Sequence, residues 1–186
     1  MPLKVCIDLY YQSKILLIKY CSFSIVVTKN EIDNVDLQKM HKVYDNWPEI
    51  AKEYFSKTFS KMEIRDIDHI VFAGMGGSGA IGDVFSSILS KTDMHVSVVK
   101  GYELPKTVDK NTIIVTTSIS GNTVETLSIL HSAEKTNAKI IALSSGGKME
   151  EFCKKEKINF YKIKKEHSPR ASFLGFLYAS LNVLED

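Results

Sequence analysis

The sequence predicts a doubly wound α/β domain, and three observations predict it. Short β-branched or aromatic runs alternate with segments of helical period from residue 69 onward. The runs are continuously apolar rather than alternating, as in parallel strands covered on both faces. Two runs of small and hydroxylated residues, Gly74 to Gly79 and Ser118 to Thr123, each follow a strand and precede a helix. Five strands in the flavodoxin-like order 2-1-3-4-5 would put strands one and three side by side, so that both loops open into one crevice.

The elements follow in chain order. The first thirty residues hold apolar runs at Ile15 to Ile18 and Ile25 to Val27, interrupted by Lys19 and followed by no small-residue cleavage site. They read as neither a signal peptide nor a membrane span. Residues 1–34 are taken as an extension without assigned role, and 35–186 as the domain. From Val35 the spacing of Leu37, Met40, Tyr44, Trp47, Ile50, Tyr54 and Phe55 is helical, with Pro48 in the first turn of a new helix capped by Asn46. Strands are expected at His69–Ala73, Val96–Val99, Thr112–Thr117, Lys139–Leu143 and Asn159–Ile163. Helices are expected at Ile81–Leu89, Val124–Glu134 and Met149–Lys155. A last helix carries Phe173, Leu174, Leu177, Tyr178, Leu181 and Leu184 as an apolar stripe with no stop signal after it, so a continuing chain or a partner face is expected to cover it.

Composition narrows the function. The chain has 186 residues, 44% hydrophobic and 25% charged, enough for one domain with a buried core. A formal charge of +2, from 24 basic and 22 acidic residues, leaves no electrostatic footprint for nucleic acid. A small-molecule ligand is expected, with no membrane partner. Cys6, Cys21 and Cys153 form no CxxC pair and no histidines stand at metal-ligand spacing, so neither a disulfide framework, a zinc site nor a cofactor is expected. A reducing cytoplasm fits this cysteine usage.

The first loop, AGMGGSGAIGD, exposes backbone amides where no Cβ keeps an anion away, and the helix that follows adds unpaired N–H groups and the positive end of its dipole. The same glycines could instead serve a tight turn and close helix-to-strand contact. Gly74, Gly76 and Gly79 also fit G-x-G-x-x-G, and although the second strand closes on Val99-Lys100-Gly101 without the acidic residue an NAD ribose needs, an NADP site could tolerate Lys100, so a dinucleotide-binding protein stays as a third reading. In the second loop, Ser118, Ser120 and Thr123 carry hydroxyls at steps of two and three that can converge on one phosphate. One of them would also serve as an ordinary helix cap, which needs only one such residue.

Together these residues resemble the sugar isomerase (SIS) family of phosphosugar-binding domains, whose SxSGxT loop is matched by Ser118, Ser120, Gly121 and Thr123. Within it, GMGGSGAIGD, SISGNTVETL, SSGGKM and SPRASFLG are similar to the bifunctional phosphoglucose/phosphomannose isomerases, in register from about Asp45 to Asp186. The resemblance implies that Gly77, Ser78, Ser118, Ser120 and Thr123 hold the phosphate of fructose 6-phosphate and that Arg170 lies beside the reacting carbons. Val124 and Ile119 depart from the usual acidic and aromatic residues at their positions. Members of that family carry a second such domain with the glutamate base, a ring-opening histidine and a lysine, so a homodimer or a missing carboxy-terminal half is the expected partner. Glu166 and His167, which match no catalytic position, are expected to be solvated loop residues. Two functions of different class remain: an isomerase of which this chain is the phosphate-binding half, and a non-catalytic sugar-phosphate-binding regulatory module.

Overall fold

The computed structural model describes residues 27–62 and 64–185; the apolar run at 15–18, Cys6, Cys21 and nearly all of the amino-terminal extension lie outside the described residues. The chain divides into two compact units, 1–39 and 40–186. In the first, α1 (Lys29–Val35) is closed by a reciprocal capping box between Thr28 and Glu31. In the second, α2 (Met40–Asp45) and α3 (Trp47–Ser56) precede the alternating part. Pro48 occupies the first turn of α3 as expected, whereas Asn46 takes an αR conformation and makes no side-chain cap bond. Its carbonyl instead accepts the N–H groups of Glu49 and Ile50.

The alternating part runs β1 (His69–Gly74), α4 (Gly76–Leu89), β2 (His95–Val99), β3 (Thr112–Ser118), α5 (Val124–Ala133), β4 (Lys139–Ser144), α6 (Gly147–Glu156), β5 (Asn159–Lys162) and α7 (Phe173–Leu184). All strand pairs are parallel and their order is β2-β1-β3-β4-β5, the predicted one. Ladder register alternates side chains between two layers. Ile70, Phe72, Ile113, Val115, Ile141 and Leu143 face one side, with Tyr54, Ile81, Phe85 and Phe176 from α3, α4 and α7. Val71, Ala73, Ile114 and Ala142 face the other, against Ile129, Leu130, Met149 and Cys153 of α5 and α6. Each fully buried Ile, Leu or Phe contributes about 1.5–3 kcal/mol of transfer free energy, so the central strands anchor everything attached to their ends.

Two expectations are corrected here. The helix expected at Ile81–Leu89 starts five residues earlier, at Gly76: only Met75 separates β1 from α4, and Gly76, Gly77 and Ser78 already belong to its first turn. On α7, the fully buried face is Gly175, Phe176, Ala179, Ser180 and Val183, while Phe173, Leu174, Leu177, Tyr178 and Leu184 are half-buried and Leu181 is 42% exposed. The helix is apolar around most of its circumference, and small residues let it approach the sheet side more closely than the bulky stripe does. It ends at Leu184, with Glu185 extended.

Candidate functional site

Parallel pairing of β1 with β3 sets Gly74 opposite Thr117, so α4 and α5 begin side by side at one end of the sheet. Close packing is what the glycines Gly74 and Gly79 serve: a Cβ on Gly74 would strike the Thr117 hydroxyl, and one on Gly79 would strike the Gly74 carbonyl. Gly77 differs from both. A Cβ there would lie 3.0 Å from the Arg170 backbone nitrogen and 3.1 Å from its Cγ, so the segment before α7 rests directly on the first turn of α4. The six residues predicted as a site thus come together.

Neither helix is capped by a side chain. Met75 stands at the N-cap of α4 and Thr123 at that of α5, and neither makes a cap hydrogen bond. The first-turn N–H groups of a helix have no intrahelical acceptor and carry the positive end of its dipole. The hydroxyls that could have capped α5 turn toward each other: Ser118 Oγ lies 2.8 Å from Thr123 Oγ1 and 3.5 Å from Ser120 Oγ. Ser118 Oγ also accepts the Gly121 N–H, and Ser120 Oγ accepts the Asn122 N–H. None of the three serves as the ordinary cap that the sequence allowed for. Ser78 joins the loops, its Oγ accepting the Ile119 N–H at 3.4 Å.

Arg170 is exposed and makes no ion pair among the described residues. Its turn is firmly held. Trp47 donates through Nε1 to the Ala171 carbonyl, Ser168 Oγ accepts the Ala171 N–H, and Ser172 Oγ donates to the Ser168 carbonyl. Upstream, the Lys164 N–H donates to the Tyr54 hydroxyl at 2.8 Å, and burial pushes the Tyr54 pKa up, which keeps that hydroxyl neutral. Lys100, by contrast, bonds both oxygens of Asp83, and Lys162 pairs with Glu150. Glu166 is not a solvated loop residue: its side chain is 15% exposed and paired with Lys164.

Sequence reasoning assigned no role to Thr117 and none to the SSGGKM turn between β4 and α6. Thr117 Oγ1, on a fully buried strand, donates to the Ser78 carbonyl at 2.9 Å and so fixes the first loop to the second. Ser145 donates through N–H and Oγ to the Ile119 carbonyl, bracing the second loop from the other side. A threonine inside an apolar strand carries no signal of this until the strand order is known. Among the described residues no group of three or more His, Cys, Asp and Glu could hold a metal, and no helix is long and apolar enough to cross a membrane.

The fold and this end of its sheet define a doubly wound α/β domain with two helix N-termini that lack side-chain caps beside its switch point. The chain belongs to the SIS domain family, whose model matches residues 63–185. A bifunctional phosphoglucose/phosphomannose isomerase of Caldicellulosiruptor bescii is 38% identical over 145 residues, covering 76% of this chain and 42% of that protein. One of Aquifex aeolicus is 35% identical over 157 residues, covering 80% of this chain and 46% of the relative. The chain therefore spans less than half the length of these curated relatives. Among solved structures, the C-terminal domain of glucosamine-fructose-6-phosphate aminotransferase from Francisella tularensis superimposes with a TM-score of 0.59 at 17% identity, over 77% of this chain and 46% of that one, a likeness of fold.

Proposed function

We propose that this chain supplies the phosphate-binding half of an aldose–ketose isomerase acting on glucose 6-phosphate or mannose 6-phosphate and fructose 6-phosphate. The observation that carries the reading is Arg170, whose backbone and Cγ pack on Gly77 beside two helix N-termini without side-chain caps and whose guanidinium makes no ion pair among the described residues. Positive potential left unneutralised by the protein is what a dianionic ligand would complete. In this reading the hydroxyls of Ser78, Ser118, Ser120 and Thr123 and the first-turn amides, including that of Gly77, hold the phosphate. Arg170 then stabilises the negative charge that develops on the enediolate oxygens while a proton moves between C1 and C2. The identities with bifunctional phosphoglucose/phosphomannose isomerases support this substrate class. The proton-carrying base is assigned to the part of those relatives that this chain does not span, so the chain alone binds without efficient turnover.

Calorimetric titration with fructose 6-phosphate tests the reading. Replacing Ser120 or Thr123 by alanine removes one charge-assisted bond each and is expected to weaken binding by about 1.5–3 kcal/mol. Equal affinities of both variants and the parent, or no heat from the parent chain, would overturn it. Binding that yields no isomerisation even when a carboxy-terminal half is supplied in trans would favour a regulatory module.

A further inference from the structure

Asn122 has no place in the phosphate contacts assigned above, yet it makes three hydrogen bonds. Its Oδ1 accepts the Lys148 N–H at 3.1 Å, its Nδ2 donates to the Ser120 carbonyl at 3.1 Å, and its own N–H donates to Ser120 Oγ at 3.2 Å. The amide orientation is dictated by its partners, since an N–H needs an acceptor and a carbonyl a donor. Lys148 lies in the first turn of α6, whose N-cap is Gly146 and has no side chain with which to cap anything. The next amide of that turn, Met149 N–H, donates to the Gly121 carbonyl at 3.0 Å. Thus the second phosphate loop caps α6, while leaving its own helix α5 uncapped.

The contact is close from both sides. A Cβ on Gly147 would stand 2.5 Å from the Ser120 carbonyl oxygen and 2.9 and 3.0 Å from the Asn122 carboxamide. Only a residue without a side chain fits under the clamp. Aspartate at 122 would keep the acceptor for Lys148 but lose the donor to Ser120, and would add negative charge next to an anion site.

We infer that Asn122 is a positioning residue: its carboxamide ties the Ser120 backbone to the first turn of α6, so that the Ser120 hydroxyl and the free amides of α5 stay aimed at one point. For its ligand this rests on the sugar-phosphate reading; for its geometry it does not.

The test uses the full chain with N122A, N122D and G147A, read by amide hydrogen exchange without ligand, by thermal midpoint, and by affinity for fructose 6-phosphate well below the midpoint. N122A and G147A should each speed exchange across 118–123 and 147–149 and weaken the sugar phosphate about tenfold, the order expected for losing a bridging hydrogen bond. Because both disturb one contact, while G147A also bears the strain of φ +71° and the clash with the Ser120 carbonyl, the double variant should lose less than the sum of the two singles. N122D, which keeps the acceptor for Lys148 but has no donor for the Ser120 carbonyl, should keep slow exchange at Lys148 while speeding it at 120–122 and losing affinity, which separates the tie to Ser120 from the cap on α6. Unchanged exchange at 118–123 in both N122A and G147A, or parental affinity in either, would overturn the inference. Should the parent chain bind no fructose 6-phosphate, the exchange measurements still decide whether the clamp exists, and only the ligand assignment falls.

Discussion

Three glycine-to-alanine variants separate what the site turns demand of the backbone from what they demand of space. Gly101 has an unexceptional φ and nothing within 4 Å of a would-be Cβ. Gly76 has equally open surroundings but φ of +53°, and Gly121 has φ of +65° together with a Cβ position that collides with the Gly146 carbonyl oxygen and stands 2.7 Å from its carbon. G101A should be neutral or stabilising by up to about 1 kcal/mol through the unfolded chain. G76A should lose about 1–2 kcal/mol for a left-handed non-glycine residue. G121A bears that cost and must also push apart two backbone segments, adding about 1–3 kcal/mol of overpacking. Its total is then about 2–5 kcal/mol, which lowers the midpoint of a domain this size by about 4–20 °C. Differential scanning calorimetry of the three variants at one pH reads the series directly. A G121A midpoint within about 2 °C of G76A would refute the claim that the β4–α6 turn packs against the 118–123 loop at backbone distance, since only the collision separates the two.

Two further outcomes follow from single contacts. Burial lowers the His69 pKa below its ordinary value, helped by His95 stacked at 4.2 Å, while the Thr107 carbonyl, Asp68 and Asp109 oppose the shift. Above about pH 6.5 the group is neutral in both states; below it the unfolded chain takes up the proton first, so stability should fall as pH drops, and H69N should flatten that dependence in urea titrations. A T117V variant removes the second hydrogen bond to the Ser78 carbonyl, which lies inside α4, and should lose about 0.5–1.5 kcal/mol, with fructose 6-phosphate affinity lowered as well; an unchanged denaturation midpoint would refute a stabilising role for that bond.

The sheet was legible in the sequence because its evidence is local. Apolar, β-branched runs of strand length identify β1 to β5 to within one residue or so at most ends, and the alternation with helices leaves few topologies. The residues of the candidate site stood out where residue types are unusual: glycines, paired serines, and an arginine after proline. What escaped depends on partners distant in sequence. Thr117 binds a carbonyl 39 residues away and Asn122 an amide 26 away. The early start of α4 escaped for a different reason: glycine lowers helix propensity, so three glycines in four positions read as loop, whereas tertiary packing between β1 and α4 overrides that preference. On α7 an almost uniformly apolar surface defeats any periodicity argument, and the small residues, not the large ones, mark the sheet-facing side.

The single-residue link between β1 and α4 has a bearing on how this domain can vary. A longer connection could absorb an inserted residue by bulging outward, but with Met75 alone between strand and helix there is no slack to take it up. An insertion there would rotate the helix by about 100° about its axis. Gly77 would leave Arg170, Gly79 would leave the Gly74 carbonyl, and the Ser78 hydroxyl would leave Ile119 together. Length changes should therefore be tolerated in the exposed stretch between β2 and β3 around Lys110, and be lethal to the fold at the single-residue junction between β1 and α4.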